Sequence, residues 1–298
     1  MYPDLALKEK VTHGTPRNPI HALHLSAGEG TPFPDHFFVK RHWHNYIEII
    51  FIQKGSYLFE INLENHYLSQ GDICILNSEE LHQITGLEPD TSHAVVLFDP
   101  RIIDFSYKDE WEQMYISPFL EQTLLLQNVI RSNDPGYPNT SVLVRKLLEE
   151  SLEQRSGWYI RSKLLLLELL SHMCEQQMLL HTTEVLSPAD TKKIERYKSV
   201  ISYIEAHYST PVSLEQMADT IPCNSQYLCR FFKEISGISP IQYLINYRID
   251  QACAQLLTSS KSITEIALDC GFENISYFIR KFKEIKGSTP KEYRNMYN

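Results

Sequence analysis

The chain contains the same helix ending twice. The string "FKEISGISPIQY" at 232–243 is followed fifty residues later by "FKEIKGSTPKEY" at 282–293, and seven of the twelve positions are identical. Each copy has a charged and apolar run, then a glycine, then a proline preceded by serine or threonine, a pattern typical of one helix ending and another beginning. A duplicated unit limits the possible folds, because both copies must form the same local structure.

The repeat extends towards the N-terminus. "SLEQMADTIPCNSQYLCRF" (213–231) aligns with "SITEIALDCGFENISYFIRKF" (262–282), with one additional residue in the second turn. Ser213 and Ser262 are suited to cap a first helix, and a second helix is predicted to start at the asparagine after each turn. Two short helices joined by a tight turn form a helix-turn-helix, so the sequence predicts two such units.

The second helix of each copy is predicted to bury one face and expose a polar one. In copy one the predicted core stripe is Tyr227, Leu228, Phe231, Phe232 and Ile235. The opposite faces carry Arg, Gln, Asn and Ser, which are side chains that hydrogen-bond to base edges. The candidate DNA-binding residues are therefore Ser225, Gln226, Cys229, Arg230 and Lys233 in copy one and Asn274, Ser276, Ile279, Arg280 and Lys283 in copy two.

The segment between the copies, 239–259, is predicted to be one long helix. About 18 helical residues at ~1.5 Å each span ~27 Å. One turn of B-DNA is ~34 Å, so this connector could hold two reading helices in successive major grooves on one face of the duplex. By periodicity alone, a duplicated helical bundle that only packs or binds protein remains the alternative.

The N-terminal part has a different period. Residues 20–98 contain short β-branched and aromatic runs separated by turn signals, which indicates an antiparallel sandwich or small barrel. Residues 111–182 change to helical periodicity, with helices predicted over 118–131, 141–155 and 158–178. The last of these is apolar on more than one face, so it is either buried in its own domain or pairs with a second subunit.

Charge is distributed unevenly over the chain, whose net charge is −9. Residues 190–298 contain 14 Lys and Arg against 12 Asp and Glu, so the acidic excess lies in the first 189 residues. The asymmetry suggests two parts with different partners. No apolar run reaches membrane-spanning length and no signal peptide pattern is present, so no membrane association and a cytoplasmic location are expected. The six cysteines form no C-x-x-C pair and are expected to be free thiols.

The C-terminal repeat closely resembles the AraC/XylS family of bacterial transcription regulators over residues 195–297. The string "IA…GF…YF…FK…G…TP…YR" in copy two carries the resemblance, with "LEQMA" and "YLCRFFKEISGISPIQYL" in copy one. The resemblance implies an α+β protein, in which an N-terminal cupin-like β-barrel with a helical dimerisation segment precedes an all-α domain with two helix-turn-helix units. The implied domains are a barrel with an N-terminal arm at 1–110, a dimerisation region at 111–182, a linker at 183–192 and a DNA-binding domain at 193–298.

The same resemblance implies a sequence-specific activator that binds double-stranded promoter DNA as a homodimer, contacts RNA polymerase and responds to a small polar effector, for example a sugar. The family's base-contacting positions fall on the predicted reading faces. The side chains of Cys229 and Ile279 are weak hydrogen-bonding groups for positions that read bases, and apolar contact with a thymine methyl is one role they could have. Pro222 stands where the family often has glycine, as at Gly271, so the first turn must differ from the second.

The N-terminal part resembles the family's cupin-like effector domain more loosely. "HWHNYIEIIFIQKG" has the cupin spacing H-x-H, three residues, E, six residues, G, and "GDICILNSEELH" supplies a third histidine. In cupin enzymes these residues, here His42, His44, Glu48 and His82, bind a transition metal. The second string departs from the pattern, because Asn77 and Glu79 stand where Pro and Gly are usual.

Three interpretations of these residues stay open: a metal site, an effector pocket, or packing alone. We predict a pocket for a small polar effector, with no metal or other cofactor, formed by Trp43, His44, Glu48, Tyr57 and His82. The alternative function is a metal-binding cupin, enzyme-like or metal-sensing, fused to a DNA-binding module. A DNA-repair methyltransferase with a related helix-turn-helix would need a zinc-held cysteine cluster, which the sequence lacks. No enzymatic activity is therefore expected.

Overall fold

The computed structural model describes residues 19–27, 36–185 and 187–297, so the predicted N-terminal arm at 1–19 lies almost entirely outside the described residues. The chain divides between Thr191 and Lys192 into two compact units. The first unit contains the β-sheets, and the second is helical. The α+β class predicted from the sequence is confirmed, with a β-rich N-terminal part and a helical C-terminal part.

Two antiparallel sheets form the β-rich core of the first unit. Their strands are β1 (Ile20–Ser26), β2 (Phe38–His42), β3 (Ile47–Lys54), β4 (Ser56–Ile61), β5 (Glu64–Ser69), β6 (Ile73–Leu76), β7 (His82–Gly86), β8 (Ser92–Phe98) and, further along the chain, β10 (Val129–Ile130). One sheet has the order β1-β8-β3-β6-β10 and the other β2-β7-β4-β5. The short runs predicted as strands between residues 46 and 98 are all found in these sheets.

The central strand β3 explains why its sequence is apolar almost without interruption. Successive side chains of a strand point to opposite faces of the sheet. Ile47 and Ile49 belong to the core between the sheet and the helices, whereas Ile50 and Ile52 belong to the core between the two sheets. Glu48 has the parity of Ile50 and Ile52, so a carboxylate is placed on the inner face of the barrel.

Two helices, α3 (Tyr137–Glu153) and α4 (Trp158–Glu175), cover the outer face of the five-stranded sheet. Leu147 of α3 and Leu166 of α4 are buried in the same cluster as Ile49. Each fully buried side chain of this size contributes ~1.5–3 kcal/mol. The opposite side of α4 exposes Ile160 and Leu164, so this helix has an apolar face on both sides, as its sequence predicts.

The helix predicted over 118–131 is wrong. That segment follows a 3-10 turn (Pro100–Ile103) and α1 (Glu110–Tyr115), and contains only α2 (Ser117–Leu120) before β9 (Leu124–Leu126) and β10. Gln122 has a φ of 59°, which ends the helical path. β9 pairs with β11 (Leu179–His181), and β10 pairs with β6. These strand pairings override the high helix propensity of the leucine run, because intrinsic propensity is worth less than tertiary contacts.

The predicted linker at 183–192 contains the end of α5 (Thr182–Val185) and the first residues of α6 (Pro188–His207). The second unit continues with α7 (Leu214–Asp219), α8 (Ser225–Ser236), α9 (Pro240–Thr258), α10 (Ile263–Asp269), α11 (Ile275–Lys286) and α12 (Pro290–Tyr297). None of the helices in the described ranges is both long and apolar enough to cross a membrane. All six cysteines are free thiols, as predicted.

Candidate functional site

The two helix-turn-helix units are built from the same local interactions. In copy one, Ser213 Oγ accepts a hydrogen bond from Gln216 N at 3.2 Å, and Ser213 N donates to Gln216 Oε1 at 2.8 Å. Copy two has the equivalent capping box between Ser262 and Glu265. Such a box satisfies two orphan backbone donors at each helix start, which is why both first helices begin where the sequence predicts.

The second helices are also capped alike. Asn224 Oδ1 accepts from Tyr227 N at 2.8 Å, and Asn274 Oδ1 accepts from Tyr277 N at 2.9 Å. Both helices end at a glycine with positive φ, 76° at Gly237 and 77° in copy two. The asparagine starts and glycine ends predicted from the repeat are confirmed.

The turns of the two units differ, as the proline in copy one predicts. Gly271 has a φ of 80°, and a Cβ there would lie 2.4 Å from the carbonyl oxygen of Tyr208. Between residues 220 and 224 no residue has positive φ, because Pro222 cannot adopt it. Five residues separate the two helices in each unit, 220–224 and 270–274, because the additional residue of copy two lengthens α10 to seven residues against six in α7. The first turn nevertheless follows a different backbone path from the second.

Helix α9 connects the two helix-turn-helix units and contacts α7, α8, α10, α11 and α12. Its 19 residues span about 28 Å at ~1.5 Å per residue. Asp250 on α9 is buried and accepts a hydrogen bond from Lys286 Nζ at 2.5 Å, which ties α9 to the end of α11. Both reading helices are therefore attached to one helical frame of nearly the length that the sequence predicts.

The predicted DNA-binding residues lie on open faces of α8 and α11 or at their first turns. In copy one, Gln226, Arg230 and Lys233 are exposed, while Ser225 and Cys229 are half-buried. In copy two, all five predicted residues, Asn274, Ser276, Ile279, Arg280 and Lys283, are exposed. The two helices thus present equivalent arginines and lysines four and seven residues after a polar residue in the first turn.

One residue of the predicted core stripe is wrong. Leu228, Phe231, Phe232 and Ile235 are buried, but Tyr227 is 38% exposed. Its ring stacks on Phe231 with an interplanar angle of 9°. In copy two the equivalent Tyr277 ring lies 5.3 Å from the guanidinium carbon of Arg280, a cation–π contact that orients this side chain.

The second candidate site lies inside the barrel and consists of His42, His44, Glu48 and His82. His42 on β2 pairs directly with His82 on β7, and Glu48 lies on β3 in the other sheet. One ring nitrogen from each histidine lies within 4.8 Å of the others. Glu48 Oε2 is 3.3 Å from His44 Nε2 and 3.7 Å from His82 Nε2. All four side chains are buried.

The three histidines are oriented in the same way. Nδ1 of His42 donates to the carbonyl oxygen of Lys40 at 2.8 Å, and Nδ1 of His44 donates to that of Tyr46 at 3.0 Å. Nδ1 of His82 donates to the Glu80 carbonyl oxygen at 2.8 Å. A carbonyl oxygen can only accept, so each Nδ1 carries a proton, and any of these rings that is neutral has its lone pair at Nε2. The 3.3 Å contact between His44 Nε2 and Glu48 Oε2 is a hydrogen bond only when that nitrogen is protonated too.

The environment controls the charge of these groups. Burial alone would raise the pKa of Glu48, but a hydrogen bond with His44 and the attraction that the three histidines exert when protonated outweigh it and lower the pKa to about 2. Burial, together with the neighbouring His42 and His44, lowers the pKa of His82 well below its usual range despite the attraction of Glu48. The site therefore combines a carboxylate with a neutral imidazole at His82.

A polar network supports the loop before His82. Glu80 Oε2 accepts from Asn77 N at 2.7 Å and from Asn128 Nδ2 at 2.7 Å. The Asn77 side chain exchanges two hydrogen bonds of 2.9 Å with the backbone of Leu126. Glu79, which stands where the cupin pattern has glycine, has a φ of 63°, so the turn keeps the left-handed conformation that glycine favours.

One predicted effector residue, Tyr57, lies away from this cluster. Tyr57 pairs with Gly86 and Ile61 pairs with His82, so four residues of β4, ~13 Å of strand, separate Tyr57 from the cluster. Tyr57 OH instead bonds Nδ1 of His93 at 3.0 Å. Trp43, another predicted effector residue, is buried just after the end of β2.

His93 is the buried polar residue that the sequence reasoning missed. Strand alternation could have identified it, because in the run "HAVVLF" residues 93, 95 and 97 lie on the same face, and Val95 and Leu97 are buried in the core between the sheets. Phe37 packs edge-on against its ring at 4.7 Å between centroids. Burial lowers the pKa of His93 to about 4 despite a weaker opposing effect of Glu48.

The four-residue cluster fits a metal better than the sequence alone suggested. Three imidazoles and one carboxylate form a donor set suited to first-row transition metals. A metal ligand histidine almost always donates its other ring N–H to a carbonyl or carboxylate, as all three do here. His82 Nε2 is completely buried and has no hydrogen-bond partner among the described residues.

Comparisons with known proteins agree with this architecture. A model of the AraC-like ligand binding domain matches residues 25–170, and a model of a helix-turn-helix domain matches residues 217–296. The uncharacterized HTH-type transcriptional regulator YdeC of Bacillus subtilis is 26% identical, over 98% of this chain and 97% of its own length. The HTH-type transcriptional activator RhaS of Escherichia fergusonii is 24% identical, over 85% of this chain and 86% of its own.

Among solved structures, apo ToxT of Vibrio cholerae matches 94% of this chain and 98% of its own, with a TM-score of 0.44 and 14% identity. The DNA-binding domain of AdpA, solved in complex with a target DNA, matches 34% of this chain and 92% of its own, with a TM-score of 0.33 and 29% identity. The two family models and the full-length relatives give the assignment. The chain belongs to the AraC family of transcriptional regulators, with an N-terminal ligand-binding domain and a C-terminal helix-turn-helix domain of a type that binds double-stranded DNA.

Proposed function

We propose that this regulator is a homodimeric activator that reads promoter DNA with α8 and α11 and responds to a small effector in the N-terminal barrel. The observation that carries the proposal is the repetition of the reading face. Arg230 and Arg280 occupy the same position on two helices with the same caps, and both are exposed. A packing role would not require the same exposed arginine twice.

The chemistry of each residue suggests its role on DNA. Arg230 and Arg280 can donate two hydrogen bonds to guanine O6 and N7, and Gln226 can pair with adenine. Cys229 and Ile279 are suited to apolar contact with a thymine methyl. Lys233, Lys283 and the serines Ser225 and Ser276 suit phosphate contacts, which position the protein. The side-chain oxygen of Asn274 caps α11, so Asn274 can contact DNA only by donating hydrogen bonds from its amide N–H groups.

The test uses duplexes selected by the wild-type protein from a random pool. Arg230→Ala and Arg280→Ala should each weaken binding to a selected duplex by ~1–3 kcal/mol and relax base preference locally, with little effect on unselected DNA. Lys192→Ala, an exposed basic residue outside the reading helices, is the control. Equal losses on selected and unselected duplexes would show phosphate contacts and refute base reading by these arginines.

Dimerisation is proposed through the open face of α4. Ile160 and Leu164 lie one turn apart on that helix and are 66% and 60% exposed. An apolar pair on a helix that already buries its other face is typical of a subunit interface. Activation through RNA polymerase is our inference from the relatives, since RhaS is named a transcriptional activator.

The effector is proposed to bind at the end of the barrel interior that contains His44, Glu48 and His82. A carboxylate and imidazoles can hydrogen-bond to the hydroxyls of a polar molecule such as a sugar, which remains our expectation for an organic effector. A regulatory rather than catalytic role, in the cytoplasm, is supported by the relatives that are named as transcriptional regulators.

A further inference from the structure

We propose that the N-terminal barrel binds one divalent first-row transition-metal ion through His42, His44, Glu48 and His82. The proposal deepens the proposed function, because it names a ligand class for the same end of the barrel. Its first readout, the metal content of the protein, does not depend on DNA binding. The metal site and the proposed DNA-binding function can therefore be refuted independently of each other.

The distances suit four donors around one ion. In protein sites with metal–nitrogen bonds of ~2.1 Å, tetrahedral donors lie ~3.4 Å apart. Glu48 Oε2 lies 3.3 Å from His44 Nε2 and 3.7 Å from His82 Nε2. The histidine nitrogens all lie within 4.8 Å of one another, and the His42 and His82 ring centroids are 4.2 Å apart. Small side-chain adjustments are enough to close such a set around an ion.

A proton satisfies this arrangement less well than a metal. Each histidine already donates Nδ1–H to a backbone carbonyl. One additional proton on His44 Nε2 would complete its pair with Glu48, but it would leave His82 Nε2 with no hydrogen-bond partner among the described residues. That nitrogen is buried beside a carboxylate at 3.7 Å. A cation between them gives every one of these lone pairs a partner.

The framework around the four residues is held independently of any ion. His42 and His82 lie on directly paired strands of one sheet, and Glu48 lies on the central strand of the other. The loop before His82 is fixed by Glu80, whose carboxylate accepts from the backbone and side chain of Asn77. An ion bound here would crosslink the two sheets, so it should stabilise the barrel.

The donor set also selects the class of ion. Three imidazoles favour Zn²⁺, Fe²⁺, Co²⁺ or Ni²⁺ over Mg²⁺ and Ca²⁺, which prefer all-oxygen sites. A divalent ion would change the net charge of the cluster from that of one carboxylate to one positive charge. Such a site could be the regulatory signal itself or could anchor an effector with oxygen donors.

The experiment uses full-length protein without an affinity tag, stripped with a chelator and then incubated with Zn²⁺, Fe²⁺, Co²⁺, Ni²⁺ or Mg²⁺ alone. After removal of excess ion, mass spectrometry should find close to one equivalent of a transition metal and no retained Mg²⁺. Co²⁺ should give visible d–d absorption, and thermal unfolding of the loaded protein should occur at higher temperature. Wild-type folded protein that retains only a small fraction of an equivalent of every transition metal would overturn the proposal.

Matched variants separate the cluster from the other histidines. Glu48→Gln and His82→Gln should each lower metal affinity by roughly a hundredfold or more, because each removes a ligand rather than a supporting contact. His93→Gln is the control, since His93 is as buried as His82 but lies outside the cluster. Circular dichroism checks folding. Equal binding by wild type and His82→Gln would place the ion at surface histidines and refute the site.

DNA binding is measured on the same samples. Metal uptake by the wild type with loss on the cluster variants supports the metal site whether or not DNA affinity changes. Failure of the wild type to bind any selected duplex would instead count against the proposed function and leave the metal result unaffected.

Discussion

Gly271 offers a sharp test of how the second reading helix is positioned, because the chain contains its own control. Gly271 and Gly287 have nearly the same backbone conformation, with φ values of 80° and 77°. A Cβ at Gly287 would meet nothing within 4 Å, whereas one at Gly271 would lie 2.4 Å from the carbonyl oxygen of Tyr208. Alanine at the two positions therefore differs in steric contact and hardly at all in backbone strain.

The expected magnitudes follow from these contacts. Gly287→Ala should lower the free energy of unfolding by about 1 kcal/mol. The strain of alanine in a left-handed backbone conformation is partly offset, because alanine also reduces the entropy of the unfolded chain. At Gly271 the new methyl also faces Arg248 Nη2 at 2.9 Å. Arg248 donates to the carbonyl oxygens of Tyr208 and Thr210 at 2.7 Å each. Displacing either of these charged hydrogen bonds adds ~1.5–3 kcal/mol to the backbone penalty, so Gly271→Ala should cost roughly 2.5–4 kcal/mol in total.

Calorimetry of the full-length variants measures the unfolding of the C-terminal unit, for which 1 kcal/mol corresponds to about 4 °C. Gly287→Ala should lower its melting temperature by about 4 °C and Gly271→Ala by more than about 10 °C. Because Gly271 precedes α11, its variant should also weaken binding to selected duplexes. Equal losses of stability for the two alanines would refute the argument, since the close approach to Tyr208 would then have relaxed without cost.

Three further results are expected. Burial holds the pKa of His93 at about 4 in the folded state, against 6.5 when unfolded. The unfolded state therefore binds more protons between these values, and the free energy of unfolding should fall by roughly 3 kcal/mol in total as pH drops from above 6.5 to below 4. Urea unfolding of wild type and His93→Gln at several pH values checks this, and an unchanged slope in the variant would contradict it. Asn77→Ala should destabilise the first unit by ~2–3 kcal/mol through loss of its two bonds to Leu126, measured by the same unfolding. Leu164→Glu should weaken the dimer by ~2 kcal/mol or more in sedimentation equilibrium, and an unchanged dimer would exclude this face of α4.

The helix-turn-helix repeat was predictable from sequence in detail, because its determinants are local. Capping by Ser213 and Ser262, the asparagine starts and the glycine ends depend on side chains within four residues of the backbone groups they satisfy. The one wrong position, Tyr227, lies at the edge of the apolar stripe, where helical periodicity cannot distinguish burial from stacking on Phe231.

The barrel site was predictable only in part, because its contacts are between distant segments. Glu48 and His44 are four residues apart, so their contact could be inferred from the motif, but Tyr57 was misplaced because strand register determines how far it lies from His82. The leucine run at 124–126 was misassigned for the same reason, since its partner strand lies more than fifty residues later.

By itself, the sequence determined the α+β class, the duplicated reading helices and the residues that their faces expose, because periodicity and capping are properties of neighbouring residues. Only the tertiary structure decided that His42, His44, Glu48 and His82 converge, with every Nδ1 turned to a carbonyl. It also showed that Glu79 keeps the turn of a glycine. Convergence depends on the pairing of β2 with β7 and on the stacking of two sheets, which no local pattern specifies.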